Sequence, residues 1–140
     1  MIGRGGRTGR GGAAFLSVAA LVAGLAVAVP TGRARAAEEA PYDDQLARLA
    51  EILGALHHLR PLCGASGEAQ TWRDQMTAIL DAEQPSRERR RRFVERFNRS
   101  WRAISSVHRA CSPAARALAE RWRLEGEALG RDLLRRWGRS

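Results

Sequence analysis

The sequence predicts an all-α protein, a single four-helix up-down bundle that follows an N-terminal signal peptide. Three observations carry this reading. From residue 43 onward, apolar residues recur at three- and four-residue spacing, which gathers them on one face of a helix. No segment shows the period-2 alternation of a half-buried strand. Proline, glycine and serine interrupt the helical pattern at Pro61, Gly64, Pro85, Ser86, Ser112 and Pro113, dividing it into four.

The leader comes first. Residues 1–12 carry Arg4, Arg7 and Arg10 and no acid, and Ala13 to Val29 is apolar apart from Ser17 and Gly24. Pro30 ends that run, and Ala34 and Ala36 place small residues at −3 and −1 of a cleavage site after Ala36, with Arg35 between them. A basic start, an apolar middle and a small-residue site are the three parts of a secretory signal. The segment would engage the export membrane and be removed from a periplasmic or secreted protein. The run is long for a signal and short for a span, so an uncleaved N-terminal membrane anchor is the alternative. The leader has no cysteine to carry a lipid, which excludes a lipoprotein. The Gly/Arg start also matches an RNA-binding segment, but the apolar run behind it and export argue against nucleic acid as a partner.

Residues 37–41 then form a short acidic leader expected to be mobile, and residues 42–138 form the bundle domain. Removing residues 1–36 takes five arginines and no acid, so the net charge falls from +9 to +4. All 24 basic residues are arginine, a composition that a GC-rich genome gives without any functional demand.

The first helix is expected over residues 43–59. Asp43 or Asp44 satisfies its exposed amides, and Leu46, Leu49, Leu53 and Leu56 form its stripe, widened by Ile52 and Leu59. Pro61 is expected to stop it. The second spans residues 68–83, with Trp72, Met76, Ile79 and Leu80 buried. The third runs over residues 87–110 behind a Ser86 cap, with Phe93, Phe97, Trp101, Ile104 and His108 on one stripe. Ser112 followed by Pro113 is a strong start for the fourth. Its stripe is Leu118, Trp122, Leu129, Leu133 and Trp137, and Ala115 and Gly126 permit close approach.

Short connections make sequential helices antiparallel neighbours. Cys63 lies in the first turn and Cys111 in the third, and an up-down topology puts both turns at one pole. The only two cysteines are thus brought together by a topology inferred without them. In an oxidising compartment they form a disulfide. Closing so long a loop contributes roughly 4 kcal/mol by chain entropy, help that a domain this small needs.

The stretch LARLAEILGALHHLRPLCGA, then TWRDQM, AILDAEQPS, RFVERFNRSWRAI and Cys111, resembles an alphaproteobacterial family of small exported proteins that carry a domain of unknown function, number 2385. The resemblance covers roughly Tyr42 to Trp137. It implies an envelope location and no particular activity. Trp101 and His108 stand where that resemblance leads one to expect tyrosines.

Candidate chemistry is sparse. His57, His58, Cys63, His108 and Cys111 offer nitrogen and sulfur ligands for zinc or copper. A disulfide removes the thiolates, and no tight Cys-x-x-Cys or His-x-x-x-His pair is present, so no metal or other cofactor is assigned; His57 and His108 are the metal candidates of an alternative reading. Their simpler role is to pack beside the bridge with ring nitrogens on turn carbonyls. Cysteines in separate turns are not an exchange-active pair. Glu51 with Glu83 or Asp81 would give a carboxylate pair, but the spacing forces none together.

One feature breaks a local rule. Arg87, Arg89, Arg90, Arg91 and Arg92 begin the third helix, where the helix dipole prefers anions. Helices three and four also read as longer than the first two, by an overhang of roughly 10 Å. This places these arginines, with Arg131, Arg135, Arg136 and Arg139, at the pole opposite the disulfide. That basic pole is the candidate surface for an envelope protein or an anionic lipid or polymer, against the plain alternative of a solvated charge run. The expectation is a non-catalytic periplasmic or cell-envelope protein that binds such a partner, the alternative being a metal-binding or hydrolytic periplasmic protein.

Overall fold

The computed structural model describes residues 39–138. The signal segment and its cleavage site lie outside the described residues, as does Arg139. Within them are α1 (Asp43–Leu62), a 3-10 turn (Ser66–Glu68), α2 (Thr71–Glu83), α3 (Arg87–Val107) and α4 (Pro113–Trp137). The described residues contain no strand, and the architecture is the expected single all-α domain of four helices.

Three boundaries differ from the sequence reading. Pro61 does not stop α1, which runs on to Leu62 with the proline in its last turn. The true stop is Gly64, whose φ of 104° turns the chain left-handed. Ala65 N–H then donates to the Arg60 carbonyl and Gly64 N–H to the Pro61 carbonyl, the Schellman pattern that satisfies a helix end. So late in the helix, Pro61 forfeits a single backbone bond. Second, the residues before Thr71 form the 3-10 turn rather than the start of α2. Third, α3 ends at Val107, and His108 caps it by donating its N–H to the Ile104 carbonyl. At 20 residues α1 matches α3 at 21, so the expected overhang of α3 is absent. The caps of α3 and α4 are as expected: Ser86 Oγ accepts from Arg89 N–H, and Ser112 Oγ accepts from Ala115 N–H.

Cross-chain contacts establish the directions. Asp43 at the start of α1 meets Arg89 at the start of α3, and the cysteines join their far ends, so α1 and α3 run parallel. Near its end α2 returns Glu83 to Tyr42, and α4 brings Trp137 back to the same tyrosine. The chain is therefore up-down-up-down. The packing is not a symmetric square, however. All three other helices pack on α1 and make few contacts with one another.

This follows from the composition of α1. Its leucines are joined by Ala50, Ile52 and Ala55, all fully buried, so the stripe wraps around three sides of the helix. One part of the core joins Leu46, Leu49 and Leu53 to Met76, Leu80, Phe93 and Phe97. The other joins Ile52, Leu56 and Leu59 to Ala115 and Ala119. On α3 the buried stripe is Arg89, Phe93, Phe97 and Ser100, not one that continues through Trp101. Trp101 lies on the flank and is 38% exposed, because four residues advance slightly more than one helical turn and the stripe steps back to Ser100.

Glycines decide how close the helices come. A Cβ on Gly54 would stand 2.2 Å from the Phe97 carbonyl oxygen, so α1 and α3 touch backbone to backbone there. Gly126 is also packed, with Ile52 Cγ2 3.0 Å from where its Cβ would be, as the sequence suggested. Gly130, in the middle of α4, has nothing within 4 Å. The two kinds of glycine should respond oppositely. Gly54→Ala should destabilise by about 3 kcal/mol, the upper end of ordinary overpacking. Gly130→Ala should stabilise by up to ~1 kcal/mol, the helix-propensity difference. Urea unfolding monitored by circular dichroism measures both, and equal effects would contradict the contact at Gly54.

Candidate functional site

The predicted basic pole is largely ion-paired, around one buried arginine. Arg89 is 7% exposed and Asp43 5%. Arg89 Nε donates to Asp43 Oδ1 at 2.9 Å and Oδ2 at 3.0 Å, and its Nη2 donates to Asp43 Oδ1 at 2.5 Å and Glu83 Oε2 at 3.0 Å. The guanidinium also stacks near the Phe93 and Tyr42 rings, 5.3 and 5.8 Å from their centroids. Its proton is held more tightly than usual, first by the hydrogen bond to Asp43. Arg92 donates to Asp43 and Glu39, and Arg90 to Asp81 and the Leu80 carbonyl. Arg89 is therefore enclosed by the fold, whereas Arg90 and Arg92 are ion-paired but remain 42% and 48% exposed. Arg135 and Arg136 share the Asp132 carboxylate. Arg87 has no ion pair among the described residues, and Arg91 has a 3.9 Å contact with Glu95.

The physical reason is tertiary. Asp43 and Glu83 come from other helices and converge on the start of α3, so the unfavourable dipole there is offset by carboxylates that its own sequence does not contain. Tyr42 completes the network by donating its hydroxyl to Glu83 Oε2 at 3.1 Å. Burial, then the Glu83 charge, raise the phenol above its ordinary pKa and keep it a donor.

At the other pole Cys63 and Cys111 form the expected disulfide, with an S–S distance of 2.04 Å and Cα atoms 5.0 Å apart. The histidines beside it take roles the sequence did not separate. His58 Nε2 donates to the His108 carbonyl at 2.6 Å. His57 packs its ring against Phe97, 5.6 Å between centroids, and its buried Nδ1 has no partner. Among the described residues, no three of His, Cys, Asp and Glu are grouped so that they could hold a metal ion. The carboxylates considered for hydrolysis pair with different arginines: Glu51 with Arg48, Asp81 with Arg90 and Glu83 with Arg89.

The free positive charge lies elsewhere. From Arg96 to Ala119 the chain has no acid. Arg96, Arg99 and Arg102 on α3, Arg109 in the turn and Arg116 on α4 are exposed, and none has an ion pair among the described residues. Trp101 and Val107 stand exposed within the same stretch. Sequence reasoning missed this surface because it weighed the density of arginines rather than the absence of acids. The acid-free run was the available signal.

The chain belongs to a family whose description is "Protein of unknown function (DUF2385)", and the family model matches residues 41–137. No curated protein and no solved structure matches it. The match covers all four helices, both cysteines and the Arg89 network apart from Glu39, so these features lie inside the family's domain. No helix of the described residues is long and apolar enough to cross a membrane.

Two measurements test this geometry. Arg89→Met should cost about 3–5 kcal/mol in urea unfolding because it leaves the Asp43 charge buried, and Arg89→Met with Asp43→Asn should lose less than Arg89→Met alone. His57 should make stability depend on pH. Burial, followed by the Arg73 charge, lowers its pKa below the ordinary 6.5. The unfolded chain then binds the proton more readily, so stability is full above about pH 6.5 and falls on acidification through the window just below. Replacing His57 with Leu should flatten that slope in melting temperature.

Proposed function

We propose that this protein is a non-catalytic, exported component of the bacterial envelope that binds an anionic surface through the acid-free stretch of α3 and the α3–α4 turn. The carrying observation is the set of exposed arginines Arg96, Arg99, Arg102 and Arg109, which have no ion pair among the described residues. Arginine offers planar, permanently charged donors that match phosphate and carboxylate. The tripartite leader and the disulfide support export to an oxidising compartment.

The test is partitioning onto phosphatidylglycerol-rich vesicles against phosphatidylcholine vesicles. Binding is expected only to the former and should weaken as salt rises. Each arginine near an anionic leaflet contributes about 1 kcal/mol, so the triple change Arg96→Gln, Arg99→Gln, Arg102→Gln should lower partitioning about a hundredfold. A charge-matched change at Arg131, Arg135 and Arg136 should leave it close to wild type. Equal losses in the two triple variants would show that net charge, rather than this surface, is responsible.

A further inference from the structure

A cleft of about 320 Å³ opens between α2 and α4 over α1, beside the ion-pair network and away from the arginine surface. Its walls are Leu46, Leu49, Ile79 and Leu133, and Tyr42 and Trp137 stand at its end near the network. Those two rings lie 5.5 Å apart at 41°, closing that end with aromatic faces. Leu134, at the rim, is 72% exposed.

Gly130 lines the same cleft and carries the argument that it has an occupant. A glycine inside a helix is less favourable than alanine by about a fivefold factor in local helix stability unless a neighbour needs the space. Gly54 and Gly126 have such neighbours; Gly130 has none within 4 Å of its would-be Cβ. The space beside it is left open by the described residues.

The chemistry of the occupant follows from the walls and the end. The walls are aliphatic. The polar group at the end is Glu83, which also lines the cleft and is 23% exposed. Its Oε2 receives both Arg89 and Tyr42, whereas Oε1 has only a long 3.4 Å contact with the Tyr42 hydroxyl. Oε1 is thus an acceptor with capacity to spare. Among the described residues, the network around it joins three carboxylates, Glu39, Asp43 and Glu83, to two guanidiniums, Arg89 and Arg92, which leaves one negative charge. A donor bearing one positive charge completes it, and the Tyr42 and Trp137 faces favour such a cation.

We propose that the cleft binds a small amphiphile with one aliphatic chain and an ammonium head, the chain between α2 and α4 and the head on Glu83 Oε1 against Tyr42 and Trp137. The volume suits a short ligand: at ~30 Å³ per non-hydrogen atom, the share of a water molecule in its liquid, it holds about ten such atoms. It sits at the lower bound of known ligand clefts.

The test uses octylammonium, 1-octanol and octanoate, three eight-carbon probes that differ in head charge, titrated by calorimetry into the protein as the cell processes it. Octylammonium should bind one to one with a Kd on the order of 0.1–1 mM, typical of so small a ligand. Octanol should bind about tenfold more weakly and octanoate more weakly still. Gly130→Leu fills the open side and should abolish octylammonium binding while the melting temperature holds or rises. Glu83→Gln, confirmed folded by circular dichroism, should bind octylammonium no better than octanol. Octanoate binding as tightly as octylammonium would overturn the assignment of the head, and undiminished binding by Gly130→Leu would overturn the assignment of the site. A fall in sedimentation from dimer to monomer in Gly130→Leu, with no amine binding by wild type, would give the cleft to a second copy and end the proposal.

Discussion

The contact on which the rest of this structure leans is the buried pair between Asp43 and Arg89. A carboxylate and a guanidinium are each more than nine-tenths buried where the first turns of α1 and α3 meet. Such a pair survives only when every donor and acceptor is used. Here Glu83 arrives from α2, Arg92 adds a second donor to Asp43, and Tyr42 bonds Glu83. Three helices are thereby fixed at one end by charge. The disulfide fixes the other end by covalency, between the turn after α1 and the turn before α4. Between them α1 and α3 press together at Gly54, with no side chain intervening.

A helix buried on three sides gives the domain its economy. With α1 at the centre, about a hundred residues bury a core in two parts along it, each shared with the outer helices. The same arrangement leaves grooves wherever two outer helices fail to meet. The cleft between α2 and α4 is one of them, and its aliphatic lining is the flank of the core itself. A square bundle, in which neighbours pack in pairs, would have closed it.

Charge is sorted in the same spirit. Where carboxylates from other helices converge, Arg89 is drawn into the fold and its neighbours are ion-paired. Along the second half of α3 and the turn that follows, where the chain has no acid, the arginines remain exposed without an ion pair among the described residues. The domain thus has one end in which arginines are held by carboxylates and a region in which they are not.

Much of this was legible in the sequence. The four helices, their alternating direction, the Ser86 and Ser112 caps and the Cys63–Cys111 pairing follow from local spacing and punctuation, since these depend on residues close in the chain or on turn order alone. The proper stop of α1 at Gly64 was present but masked by Pro61, whose effect depends on how near it lies to the helix end. What only the tertiary structure decided is which arginines are free, which glycines are packed and which histidine keeps an unpartnered nitrogen. Arg89 and Arg91 look alike in the sequence; one is buried against Asp43 and the other stands in solvent because a helix turns by 100° per residue. Gly54 and Gly130 look alike as well, and they differ by whether a second backbone passes at 2.2 Å or nothing passes at all. Pattern determined the elements. The partners, which lie tens of residues away in the chain, came from how α2, α3 and α4 settled on α1.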